Sequence, residues 1–283
     1  MANMDPQGQS LDMTTTTRQP AAQRWRRLAL PVLLPLAVLL FALLLPPRSL
    51  WDKSNLVGYA ICHQIDAHSY QPGGVALPLC ARCTGTFLGA LAGLATMALL
   101  GRGRAAALPP ARVLFLLLLF VMAWGLDGLN SYMSFFSGLP HLYEPQNLLR
   151  LITGTLTGLA MSILLLPVVN FTLWREPQAV PAVPGVRALL PLLAAGAAAV
   201  VVVHANVAAL RVPIALLETL GVLGMLSLIN GTILVIILRR ERRAAGWRDA
   251  LPFYLWGAVM SLAEIGAIDL LRAWLETMVA VPR

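Results

Sequence analysis

Long blocks of about 20 nearly uninterrupted apolar residues recur along this chain, and the first of them reads LALPVLLPLAVLLFALLL at 28–45. A block of that length has few stable fates in water. As a helix it matches the hydrocarbon thickness of a bilayer, where every backbone N–H and C=O must find its partner inside the segment. Seven such blocks begin near Leu28, Leu79, Val113, Asn147, Ala188, Val212 and Ala250 and end near Leu45, Leu100, Phe136, Trp174, His204, Leu238 and Trp274. The pattern predicts an all-α polytopic transmembrane helix bundle of about seven helices, with six to eight as the range. Pro191 is expected to interrupt the first turns of the fifth block. Hydrophobic residues at 58% against 12% charged residues agree with a membrane protein and exclude an ordinary soluble domain.

The basic residues orient the bundle. Fourteen of the 21 Lys and Arg, among them Arg24, Arg26, Arg27, Arg102, Arg104, Arg239, Arg240, Arg242 and Arg243, fall on the same side as the N-terminus. The positive-inside rule therefore predicts N-in and C-out. The net charge of +8 reads as this topology signal and as contact with anionic lipid, so the bilayer is the expected partner and nucleic acid is not. RWRR precedes the first block and no small-x-small cleavage site follows it, which predicts a retained signal anchor. The expected organisation is a disordered cytoplasmic tail (1–27), an anchor helix with outer linker (28–57), a core of three transmembrane helices (58–165), a cytoplasmic loop (166–186) and a C-terminal transmembrane extension (187–283).

Against this apolar background CHQIDAHSYQPGGVALPLCARCTG, at 62–85, holds all three cysteines and two of the four histidines. The predicted topology puts it on the outer side. Its spacing, C-H-x4-H-x11-C-x2-C, offers Cys62, His63, Cys80 and Cys83 as metal ligands with His68 as a weaker fifth. Thiolate and imidazole suit zinc, or another thiophilic metal, better than magnesium or calcium. In an oxidising compartment Cys62 could instead form a disulfide with Cys80 or Cys83. The two later cysteines open a helix whose N-terminus and Arg82 favour a thiolate. Gly85, Gly89 and Gly93 then form a small-residue stripe for close helix packing.

Further polar residues fall in the same half of the bundle. Asp127 and Asn130 share a helix face, Arg150 opens the next helix, and Asp127 with Arg150 is the expected ion pair. Glu218 and Glu264 lie within later helices, Asn230 is expected to bond between helices, and Asp269 is three residues from Arg272. Ionisable groups inside the membrane are costly and usually pair or line a functional cavity.

CHQ, LPLCARCTG and NLLRLITGTLTG, with Asp-Gly at 127–128, resemble an uncharacterised prokaryotic family of predicted membrane proteins, a domain of unknown function, over about Gly58 to Ala160. The resemblance implies a compact membrane core and a place in the cytoplasmic membrane of a prokaryote. It marks Cys62, His63, Cys80, Arg82, Cys83, Gly85, Asp127, Asn147, Arg150 and Gly154. The family pattern has Arg where this chain has His68. Three functions follow from the residues: a zinc-type metal protein in which Asp127 or Glu144 could serve as base, a thiol-disulfide oxidoreductase using the C-x-x-C pair, and a transporter using Asp127, Glu218 and Glu264. No inverted repeat supports the transporter, and no catalytic triad or phosphate-binding glycine loop points to hydrolysis or nucleotide chemistry.

Overall fold

The computed structural model describes residues 21–134, 136 and 142–279, with side chains from residue 30 to 278. Eight α-helices are present among them: α1 (Ala21–Leu44), α2 (Leu50–Ile61), α3 (Ala81–Leu99), α4 (Ala111–Met133), α5 (Asn147–Leu173), α6 (Leu190–His204), α7 (Arg211–Ile237) and α8 (Trp247–Val279). Six segments, containing α3 to α8, are long and apolar enough to cross a membrane, and α1 adds an apolar run, Leu30–Leu44. Phe115, Leu126, Phe171, Leu220 and Ile237 stand exposed on the outside of the bundle, as side chains facing lipid do.

Three local differences from expectation have simple causes. Helix α1 begins at Ala21, so residues 21–27 are helical where a disordered tail was expected, and the rest of that tail lies outside the described residues. The linker after it contains a further short helix, α2. Ser49 caps this helix by accepting the Asp52 N–H at 3.4 Å, and Lys53 Nζ ties it back to the carbonyls of Ala42 and Leu45 at 3.1 and 2.7 Å. Pro191 starts α6 instead of interrupting it, because the first helical N–H groups have no intrahelical acceptor to lose.

Helices α3 and α5 form the centre. A Cβ added at Gly85, Gly89 or Gly93 would run into Leu151 O, Thr155 O or Ser162 Oγ, and one added at Gly154 or Gly158 into Arg82 O or Thr86 O. The two backbones touch through reciprocal glycines, the close approach that small residues permit between membrane helices. Around this seam pack α4, α6 and α7, with α8 against α7 and α1 against α8.

Alternation of the helices gathers residues 62–80, 142–146 and 205–210 at one end, together with the C-terminal part of α8. The opposite end holds 100–110, 174–189 and 238–246, and with them Arg102, Arg104, Arg175, Arg187, Arg239, Arg240, Arg242 and Arg243. There, strand β1 (Ala105–Ala107) pairs in parallel with β2 (Gln178–Pro181). Asn170, buried in α5, braces the sheet by donating to Gly103 O and Ala105 O at 3.0 and 2.8 Å while accepting the Trp174 indole N–H at 2.8 Å.

Candidate metal centre

Cys62 terminates α2 and Cys80 is the N-cap of α3, one turn before Cys83. Between them the chain folds back through two 3-10 turns, Asp66–His68 and Pro72–Gly74. Gly73 and Gly74 take φ of 72° and 81°, conformations that other residues rarely adopt. Gln64 sits at φ 50° and locks the return: its amide donates to Asn55 O and Pro78 O at 3.1 and 3.0 Å. Close packing of α2 against the returning segment explains Gly58, whose added Cβ would strike Pro78 O.

This folding brings the three thiols together. All three Sγ atoms lie within 4.8 Å of one another, the cysteines are free, and Cys62 and Cys80 are buried. The Cys80 N–H donates to Cys62 Sγ at 3.2 Å. Hydrogen bonds from the Cys80 and Cys83 side chains, helped by the Gln64 and Cys80 backbone N–H groups, hold the Cys62 thiol far below its ordinary range. The Cys80 thiol, donating to Cys62, is pushed up to about 11.

The donor set fits a thiophilic cation. Zinc–sulfur bonds of about 2.3 Å place tetrahedral sulfurs roughly 3.8 Å apart, and this cluster needs only small shifts to reach that spacing. His63 stands beside the cluster and not in it: its Nδ1 accepts the Ile65 N–H at 3.1 Å and its ring meets the His68 ring edge-on at 5.4 Å. Burial, then the charges of Arg150, His63 and Arg82, lowers His68 to about 4. His68 is thereby a neutral neighbour.

Arg82 turns away from the thiols. Its Nε donates to Asp127 Oδ2 at 3.1 Å, and its Nη2 reaches the same oxygen and Ser131 Oγ, the latter at 3.0 Å. Asp127 is 1% exposed and also accepts the Tyr143 hydroxyl at Oδ1, 2.9 Å. Burial, followed by that bond to a carboxylate, raises Tyr143 to about 12. The expected Asp127–Arg150 pair is thus replaced by Asp127–Arg82. Arg150 donates instead to Asn147 Oδ1 at 2.8 Å, and Asn147 reaches over to Ala67 O at 3.1 Å, joining α5 to the Cys/His loop. Asn130 braces the α4–α5 connection through Tyr143 O and the Leu142 N–H, at 2.9 and 2.7 Å. Glu144 lies in that same connection.

The remaining acids separate. Glu218 of α7 is fully buried close to the thiols, and one oxygen accepts the Thr84 hydroxyl at 2.7 Å while Oε1 has no partner among the described residues. Glu264 is exposed and accepts from Asn230 at 3.0 Å, so it belongs to the α7–α8 seam. Arg272 does not pair with Asp269. It bonds Glu276 at 3.3 Å and donates to the carbonyls of Tyr59 and Cys62 at 2.6 and 2.7 Å, stacking on the Tyr59 ring. Arg272, Gln64, Thr84 and Tyr143 are site residues that sequence spacing does not announce. Each acts across a tertiary contact, and each is a residue type common on any polar surface.

Residues 62–164 match the model of a family described as a predicted membrane protein (DUF2085), for which no activity is known. No curated protein and no solved structure matches the chain.

Proposed function

We propose that this membrane protein, akin over residues 62–164 to a family of predicted membrane proteins, is a metal-binding protein of the cytoplasmic membrane with an extracytoplasmic zinc-type site. Cys62, Cys80 and Cys83 hold the ion and His63 supplies the fourth ligand after release from the Ile65 N–H. The convergence of three free thiols within 4.8 Å, from two helix ends 18 residues apart in sequence, carries the reading. Bound there, zinc would cross-link α2 to α3 or act as a Lewis acid if the fourth position stays open. The chain's own residues orient the site: Arg272 fixes the Cys62 carbonyl, Gln64 fixes the return loop, and Arg82 with Asp127 anchors the first turn of α3 to α4. The arginine-rich end is the cytoplasmic one in this reading.

Metal analysis of the detergent-purified protein tests it. About one zinc per chain is expected, lost in Cys80→Ser and Cys83→Ser, reduced in His63→Ala and largely kept in His68→Ala. Chelation should lower the unfolding temperature, because metal bonds made only in the folded state contribute folding free energy. Metal-free protein with one reactive thiol before reduction and three after would put a disulfide in the cluster instead, the starting point for a thiol-disulfide oxidoreductase. That second reading draws on the closeness of the three sulfurs, which lie within 4.8 Å of one another at the start of a helix.

A further inference from the structure

At the opposite end of the bundle, the loop between α7 and α8 reads RRERRAAG. Arg239 and Arg242 take φ of 51° and 56°, a left-handed conformation uncommon for side-chain-bearing residues, which persists where surrounding structure dictates it. Here it does: the Arg242 N–H donates to Thr172 O at 2.7 Å, the Ala244 N–H to Leu173 O at 3.1 Å, and the Arg175 N–H to Ala244 O at 2.9 Å. The loop backbone is stitched to the C-terminus of α5.

Two of the loop's arginines, Arg240 and Arg243, together with Arg248 in the first turn of α8, border a groove of about 380 Å³ whose other wall is apolar, including Leu234, Phe253 and Trp256, with Pro31 of α1 closing one side. Among the described residues none of these guanidinium groups has a hydrogen-bonding or acidic partner. The one carboxylate lining the groove, Asp249, accepts the N–H groups of Ala245 and Gly246 at 3.0 and 3.3 Å, so its charge caps α8. Glu241 does not line the groove.

We infer that this groove is a binding site for an anionic phospholipid, its phosphate held by Arg240, Arg243 and Arg248 and its acyl chain lying along Leu234, Phe253 and Trp256. Charge complementarity and position favour this occupant over others. Uncompensated cations stand at the end of the spanning helices, where headgroups lie, and the apolar wall continues from them along α7 and α8 into the hydrocarbon. Guanidinium groups match phosphate oxygens in forked geometry.

The test is lipid titration of the purified full chain, read by native mass spectrometry and by unfolding temperature. Phosphatidylglycerol should bind saturably and raise the unfolding temperature, whereas phosphatidylcholine and inorganic phosphate should do neither. Each Arg→Gln change should weaken phosphatidylglycerol about five-fold, and the R240Q/R243Q/R248Q variant roughly a hundred-fold. An R175Q/R187Q control at the same end should bind as before. Equal binding of phosphatidylcholine, an effect of phosphate alone, or undiminished binding in the single variants would overturn the assignment; the single changes keep the test decisive if the triple variant does not fold.

Discussion

Replacing Asp127 by Ala removes the acceptor for Arg82 Nε at 3.1 Å, for Arg82 Nη2 and for the Tyr143 hydroxyl at 2.9 Å. The Arg82 side chain is 16% exposed, so the guanidinium left behind is mostly desolvated, with Ser131 Oγ and the Asp127 carbonyl as its remaining acceptors. Breaking a buried pair from one side costs about 3–5 kcal/mol, mainly through the stranded charge. Arg82→Leu should cost a similar amount, since it strands the carboxylate with Tyr143 alone. The Arg82→Leu/Asp127→Ala variant strands neither, and should lose less than the sum of the singles by roughly 1–3 kcal/mol. Thermal unfolding in a fixed detergent, followed by circular dichroism, measures all three. As an internal control, Asp127→Ala and Arg150→Ala should be closer to additive, because no hydrogen bond joins them and Arg150 donates to Asn147. Additivity of the 82/127 pair together with strong coupling of the 127/150 pair would refute this account of how α3 is fixed to α4.

The glycine seam makes a second prediction. Gly158→Ala places a methyl against the Thr86 carbonyl, a backbone atom that cannot swing aside, so α3 and α5 must separate; a loss of about 2–4 kcal/mol is expected, against about zero or a slight gain for Gly125→Ala, which meets open space. Acid should act through His68. Its folded value of about 4 lies below the ordinary 6.5, so the unfolded chain takes the proton first and stability should fall as pH drops from about 6.5 to 4. His68→Ala should flatten that limb of a pH–stability curve, and an unchanged slope would assign it to other groups. At the arginine-rich end, Asn170→Ala orphans the Gly103 and Ala105 carbonyls and the Trp174 indole N–H, for an expected loss of about 2–4 kcal/mol in the same unfolding assay.

The apolar blocks alone determine that this is a helical membrane protein, because a bilayer leaves the backbone of a 20-residue apolar segment little choice but to bond within itself. The position of the three cysteines is legible too: a turn-rich segment joins Cys62 to a C-x-x-C at a helix start, and proximity follows from so short a connection. The reciprocal close packing of α3 was half visible, since Gly85, Gly89 and Gly93 mark one face while the identity of the facing helix is not written in them. Tertiary structure decided the pairing of charges. Asp127 has two arginines at comparable depth, and helical spacing sets depth but not the rotation of one helix about its neighbour; the α3–α5 glycine contact fixes that rotation and turns Arg82 toward α4. The same applies to Arg272, which reaches Cys62 across 210 positions of sequence. His63 shows the same on a smaller scale: it adjoins Cys62 in sequence, yet the extended backbone after α2, at φ −125° and ψ 151° for Cys62, turns neighbouring side chains apart, so its ring settles beside His68 and has to rotate before it can serve as the proposed fourth ligand.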